Sequence, residues 1–141
     1  MRFTDGNKKP FIFSIFYAQA SDTLASIGLG ALIGFLITIV LGMIHPGSGH
    51  LLGAFIGGIV AGLIARGIID GSIAGLLAGI GSTIILVILA FFGLAFYGVS
   101  NFGFLGAIIG GIVGTALSIL VGIIATIVSI IGGLIGGAIT R

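Results

Sequence analysis

The sequence predicts an all-α integral membrane protein with four transmembrane helices, and three observations support this fold class. The chain is 58% apolar and only 6% charged, whereas soluble domains carry roughly 25% charged residues. No Asp, Glu, Lys or Arg occurs between Thr23 and Ala65 or between Gly71 and Thr140, and apolar runs beyond about 18 residues are typical of membrane spans. These runs do not alternate as strands of a barrel with a polar lumen would, so the spans are expected to be helical.

Residues 1–23 are predicted to form a cytoplasmic or interfacial segment ahead of the membrane domain. Arg2, Lys8 and Lys9 precede the run FIFSIFYAQA, which is short for a spanning helix and carries aromatics suited to headgroup depth. The same basic start with Ala18-Gln19-Ala20 is also typical of a signal peptide. A third interpretation is that this run belongs to a longer first helix.

The transmembrane domain is predicted over residues 24–141, with spans at about 24–44, 50–65, 72–96 and 104–139. Ser21 or Asp22 is expected to cap the first span, because a short side-chain oxygen accepts hydrogen bonds from free backbone N–H groups. Pro46 and its neighbouring glycines end that span. We expect further loops at residues 66–70, where Asp70 or Ser72 caps the third span, and at residues 97–103.

The last apolar stretch is long for one span, at about 54 Å if it is fully helical. A small or polar residue recurs along one face about every 3.7 residues from Gly111 to Gly137, a spacing that favours right-handed crossings. We interpret the stretch as one helix, tilted or kinked near Gly132-Gly133. A split into two spans is the alternative.

Charge predicts the orientation of the chain. With four spans, both termini and the loop at residues 66–70 lie on one side, together with all five basic residues: Arg2, Lys8, Lys9, Arg66 and Arg141. The positive-inside rule makes that side cytoplasmic, in the cell membrane.

Glycine is the main predicted packing element, since 28 glycines occur without a collagen period. Small residues at four-residue spacing let helix backbones approach closely in lipid. The predicted helix-packing residues are Gly53, Gly57, Gly58, Gly62, Gly71, Gly75, Gly79, Gly106, Gly110 and Gly114. We expect the second and third spans to pack face to face as a glycine zipper, and the remaining smooth faces to join copies in a homo-oligomer.

An internal duplication is a further hypothesis. GAFIGGIV at residues 53–60 matches GAIIGGIV at residues 106–113 at all but one position. LASIG at 24–28 matches LAGIG at 77–81 at the same offset of 53. Either a helical hairpin was duplicated, or a chain rich in Gly, Ile, Leu and Ala matches itself by chance.

Three sets of polar residues are candidates for chemistry. Arg66 and Asp70 form a candidate polar site, although a topology-setting arginine and a capping aspartate are the favoured explanation. His45 and His50 have no third ligand or acid nearby for a metal. The hydroxyls either bond back to the preceding turn or line a narrow pore; they are Ser82, Thr83, Thr115, Ser118, Thr126 and Ser129.

Several function classes are excluded by composition. The chain has no Cys and no Glu, and no serine–histidine–aspartate set falls on one side of the membrane, so we expect no enzyme activity, catalytic residues, cofactor or metal. The net charge of +2 is too small to indicate nucleic-acid binding. The expected partners are the lipid bilayer and further copies or a membrane complex.

The segment PGSGHLLGAFIGGIVAGLIARGIIDGSIAGLLAGI and the ending IGGLIGGAITR resemble an uncharacterised archaeal family of small glycine-rich multi-pass membrane proteins. The resemblance covers most of residues 24–141, and the Phe-rich start at residues 11–17 is not part of it. It implies the fold and an archaeal cell membrane, and it implies no site residues.

Two functions are therefore carried forward. The first is a structural or accessory membrane component that self-assembles through Gly-xxx-Gly helix faces. The alternative is a small channel or transporter for an ion or small solute, with hydroxyls and the Arg66–Asp70 turn near its path.

Overall fold

The computed structural model describes residues 11–45 and 48–140, with side chains from Ser14 onwards, and this part of the chain is helical. Its three helices are α1 (Phe11–Ile44), α2 (Ser48–Ala65) and α3 (Ile68–Ile139). Each is long and apolar enough to cross a membrane, so the prediction of an all-helical fold with helices of membrane-spanning length is confirmed. The described residues form three helices and not the predicted four, because the predicted third and fourth spans both lie within the long helix α3. The basic residues 2, 8, 9 and 141 and the break at 46–47 lie outside the described residues.

Helix α1 begins well before the predicted first span. Ser21 and Asp22 lie inside it, so the prediction that either caps a helix at residue 24 is wrong. Hydroxyls along this part bond back to the preceding turn, with Ser21 Oγ donating to the Ala18 carbonyl at 2.7 Å and Thr23 Oγ1 to the Gln19 carbonyl at 3.0 Å. Such bonds satisfy the hydroxyls within the helix. The interfacial position of residues 11–20 stays a prediction.

Helix α3 reverses direction at a single residue. Gly103, with φ 70° and ψ −157°, is its only residue with non-helical backbone angles. On either side the chain folds back on itself, because Gly98 lies against Gly106 and Gly71 lies against Gly133. We call residues 68–102 the first arm and residues 104–139 the second arm. The reversal falls inside the range 97–103 predicted as a loop, but residues 97–102 are helical and only Gly103 departs from helical geometry.

The second arm is one helix. No backbone break occurs at Gly132-Gly133, so the alternative of two separate spans in residues 104–139 is wrong. The two arms pair antiparallel from the Gly103 reversal to the start of α3, where Gly137 meets Gly67. This pairing explains how a helical segment of about 108 Å, several times the thickness of a bilayer core, is accommodated.

Helix α2 lies between α1 and the second arm. On one side it pairs antiparallel with α1, where Gly34 lies against Gly57 and Gly53 against Thr38. On the other side Gly58 lies against Ser129 in the second arm. The predicted face-to-face packing of the second and third spans is therefore corrected: α2 touches the first arm near Gly62, and its second partner is mainly the other arm.

The described interior consists of small residues, and large apolar side chains face outward. The buried apolar residues are Ile27 and a set of alanines, and the largest side chains that are fully buried are Thr38, Ser82 and Ser129. Phe16, Leu24 and many other Ile, Leu and Phe side chains are exposed. This arrangement is the one expected in lipid, where apolar side chains gain little by leaving the acyl chains and backbones must approach closely.

The two helical hairpins differ in register. In the first hairpin Gly53 faces Thr38, so an internal duplication with an offset of 53 requires Gly106 to face Phe91. Gly106 instead faces Gly98, and the Phe91 ring meets Gly111. The pairing is displaced by seven residues, about two helical turns. The duplication at this offset is not supported by the packing.

Candidate functional site

All ten predicted glycines lie at helix contacts, and four contact zones contain them. In each zone an added Cβ would come against atoms of a neighbouring helix or arm. The zones are Gly53 and Gly57 between α1 and α2; Gly58 and Gly62 between α2 and the second arm; Gly71, Gly75 and Gly79 between the bases of the two arms; and Gly106, Gly110 and Gly114 near the Gly103 reversal.

Ser129 is the residue at which three helical segments meet. A Cβ added at Gly58 in α2 or at Gly75 in the first arm would collide with the Ser129 carbonyl oxygen. The Ser129 side chain is 0% exposed, and its Oγ donates a hydrogen bond of 2.8 Å to the Gly75 carbonyl. A hydroxyl therefore ties the two arms together at the level where α2 packs against them.

Two threonines make similar links between helices. Thr38 Oγ1 lies 2.9 Å from the Gly34 carbonyl of its own helix and 3.1 Å from the Gly53 carbonyl of α2. Thr83 Oγ1 lies 2.8 Å from the Gly79 carbonyl and 3.1 Å from the Gly122 carbonyl of the second arm. The contact of Thr83 with Gly79 fits the predicted bond back to the preceding turn. The contacts of Thr38 and Thr83 with a neighbouring helix belong to neither of the two sequence readings.

Sequence reasoning missed part of this arrangement. Thr38 was not among the candidate hydroxyls, although it continues a four-residue spacing with Gly30 and Gly34 that marks the face of α1 toward α2. Of the last four glycines, only Gly133 and Gly137 belong to the predicted stripe of small and polar residues. Gly132 and Gly136 contact α2 through Phe55 and Ile59, and their spacing of four was a signal that could have identified them.

The turn between α2 and α3 consists of Arg66 and Gly67. Arg66 has φ 57° and Gly67 has φ 149°, which ends α2 and interrupts the continuous helix that a pair at positions 66 and 70 requires. Gly67 is the N-cap of α3 and no side chain caps it, so capping by Asp70 or Ser72 is wrong. Asp70 lies in the first turn of α3, where the helix dipole favours a carboxylate.

The described charges gather at one end of the helices. Asp22 of α1, Arg66 and Asp70 line one surface groove. The histidines lie at the other end of α2, about 22 Å away along the helix, with His45 exposed and His50 buried. Among the described residues, no three His, Cys, Asp or Glu side chains lie close enough together to hold a metal ion.

Comparison with known proteins places the chain in a family. A family model described as a family of unknown function, DUF5518, matches residues 25–139, which leaves out the Phe-rich start as the resemblance implied. No curated protein and no solved structure matches the chain significantly. The predicted recognition of a family of unknown function is confirmed, while the archaeal origin and the glycine-rich character of its members stay predictions. Since the match covers most of the sequence, the chain belongs to the DUF5518 family of unknown function.

Proposed function

We propose that this protein is a non-enzymatic membrane component that assembles with further copies of itself and acts as a structural or accessory element. The observation that carries the proposal is the uncovered half of the α3 hairpin. Within residues 90–114, on both sides of Gly103, the glycines that make close contacts make them with the opposite arm of α3 and not with α1 or α2. Large side chains such as Phe92, Phe96 and Ile109 are exposed there.

The apolar length of this hairpin supports assembly. Residues 71–102 carry no charge and extend about 48 Å as a helix, against a hydrocarbon core of about 30 Å. Lipid alone would cover this length only at a tilt of about 50°, beyond the usual range of up to about 40°. Neighbouring copies packed along the hairpin cover it without such a tilt.

Open small residues offer places for close approach between copies. An added Cβ at Gly28 in α1 or at Gly93 in the first arm meets nothing within 4 Å, and both glycines are exposed. In lipid such positions let a second backbone approach. In the proposed glycine-zipper packing, most small-residue faces are used between helices of one chain, and the faces at Gly28 and Gly93 are left for contacts between copies.

The topology proposed with this function follows the charges. We propose that each arm of α3 crosses the membrane, which gives four crossings with α1 and α2. Both termini and the Arg66 turn then lie in the cytoplasm of an archaeal cell. Support comes from Asp22, Arg66 and Asp70, which line one groove at one end of the helices, as the positive-inside rule requires of the arginine.

Energy transfer between labelled copies tests the assembly. The chain has no native cysteine, so single Asn101→Cys proteins carry donor or acceptor labels at the hairpin end. They are reconstituted at increasing lipid dilution. We expect transfer that persists at dilutions where labelled single-span peptides show none, and that weakens in Gly93→Leu. Transfer that falls to the level of the peptides would overturn self-assembly.

A flux assay in the same liposomes separates the proposal from a channel or transporter. We expect no protein-dependent leak of protons, K⁺ or glycerol, because the fully buried hydroxyls of Thr38, Ser82 and Ser129 hydrogen-bond to backbone carbonyls. Saturable flux that is absent from protein-free liposomes would contradict the structural role and favour transport.

A further inference from the structure

A cavity of about 170 Å³ lies where the end of α1 and the start of α2 meet the first arm. Two polar residues line it, His50 from α2 and Ser82 from the first arm. The rest of the lining is apolar and includes Met43, Ile85 and Leu89. The cavity therefore has a small polar region in an otherwise apolar lining, and it lies between helices that cross the membrane.

The imidazole of His50 is the unusual group in this lining. His50 is 6% exposed, and its buried Nε2 has no hydrogen-bond partner within the residues that the structure describes. A buried polar group without a hydrogen-bond partner destabilises the folded protein. A ligand group that hydrogen-bonds to Nε2 would remove this destabilisation. An aromatic side chain without a ring nitrogen at position 50 would fill the same space without burying an unpaired polar atom.

Ser82 narrows the chemistry of that group. It is 1% exposed, and its Oγ donates a hydrogen bond of 2.9 Å to the Gly79 carbonyl. Because the hydroxyl proton is used there, Oγ is left to accept a hydrogen bond from the cavity side. A neutral imidazole with its proton on Nε2 donates. A ligand hydroxyl is the group that accepts from His50 and donates to Ser82.

The size and wall of the cavity set the rest of the ligand. An apolar cavity of about 150 Å³ holds one benzene ring, so 170 Å³ accommodates one ring or a short branched chain. We propose that this cavity binds a lipid-soluble alcohol or phenol, with its hydroxyl between His50 and Ser82 and its apolar body against Met43, Ile85 and Leu89. Water also carries an O–H group that fits these two hydrogen bonds. The apolar residues of the lining favour an alcohol or phenol over water.

Imidazole NMR with matched probes tests the assignment. Protein labelled with ¹⁵N-histidine in nanodiscs is titrated with p-cresol and with toluene, and His45→Asn assigns the two histidines. Probe concentrations are corrected for partition with empty nanodiscs. We expect a saturable shift of the His50 Nε2 resonance with p-cresol, and at least tenfold weaker binding of toluene. Equal binding of both probes, or no saturation, would overturn the proposal.

Two serine variants separate the site from general packing. Ser82→Ala should weaken p-cresol binding about fivefold to tenfold. Ser118→Ala should leave it unchanged, since Ser118 is also buried and bonds to the Thr115 carbonyl of its own helix. If Ser82→Ala binds as the native protein does, the proposed hydroxyl geometry is wrong. A water cross-peak at His50 Nε2 that p-cresol does not displace would identify a bound water instead and would also overturn the proposal.

Discussion

Ser129 Oγ donates a hydrogen bond of 2.8 Å to the backbone carbonyl of Gly75, a residue 54 positions earlier in the chain. The bond is buried, and it exists because Gly75 has no side chain between its carbonyl and the neighbouring arm. Gly75 therefore contributes twice, because its missing side chain lets the two arms approach closely and its carbonyl oxygen accepts the hydrogen bond. Glycine and serine are thus complementary at this contact, and neither alone would hold the arms together as well.

Replacing Ser129 by Ala removes this bond and leaves the Gly75 carbonyl without its additional donor. We expect a loss of about 0.6–1.7 kcal/mol in the free energy of unfolding, the range of hydrogen bonds between membrane helices. Ser118→Ala is the matched control, because Ser118 bonds within its own helix and should cost less. Unfolding in mixed micelles measures both, and equal losses would contradict a role in joining the arms.

Replacing Gly58 or Gly75 by Leu inserts a side chain where a Cβ already collides with the Ser129 carbonyl oxygen. Overpacking costs about 1–3 kcal/mol for a few added methylenes, and backbone cannot move aside as a flexible side chain can. We therefore expect loss of the native fold in thermal unfolding. Gly28→Leu, which meets nothing within 4 Å, should retain the native melting temperature in dilute nanodiscs. Native behaviour of both core variants would refute the packing.

Gly103→Ala tests the reversal in α3. The residue has φ 70° and open space around it, so any loss of stability comes from the backbone angles and not from a clash. We expect about 1–3 kcal/mol, the cost of holding a non-glycine residue in such a region. Gly93→Ala is the matched control with equally open space, and helix propensity should make it neutral or stabilising. Similar unfolding free energies for the two variants would count against the strained reversal.

Substitutions at the two residues of the turn, Arg66 and Gly67, are expected to change the unfolding free energy in opposite directions. Arg66 has φ 57°, and a residue with a side chain pays about 1–2 kcal/mol in this left-handed region. Arg66→Gly should therefore raise the unfolding free energy by up to about that amount. Gly67→Ala should lower it by about 1–3 kcal/mol because φ 149° excludes a Cβ. Chemical denaturation measures both, and changes of the same sign would contradict the assigned backbone.

The sequence predicted the membrane class and the close-packing glycines because both follow from local composition. It failed where tertiary packing decides. Residues 97–103 contain Tyr, Gly, Ser and Asn, which are typical of loops, yet the helix continues because the opposite arm packs at Gly98. Helix α1 extends over Ser21 and Asp22, and the Ser21 hydroxyl donates to the Ala18 carbonyl within the helix instead of capping its start.

Register was beyond the sequence for a related reason. Gly, Ile, Leu and Ala repeats allow several alignments of one helix on another, each displaced by a turn. The long-range partners of Thr38 and Thr83 select among them. His50 could be recognised as a poor metal ligand from its neighbours in the chain, but its burial beside Ser82 depends on how α1, α2 and the first arm meet.

The position of α2 has a consequence during biosynthesis. Its face at Gly58 and Gly62 packs against Ser129 and Gly133, which are translated about 70 residues later. At about 5–20 residues per second, that face waits about 4–14 s for its partner. During that interval the second arm of a neighbouring chain can occupy it, so crowded synthesis should favour exchanged hairpins between nascent copies.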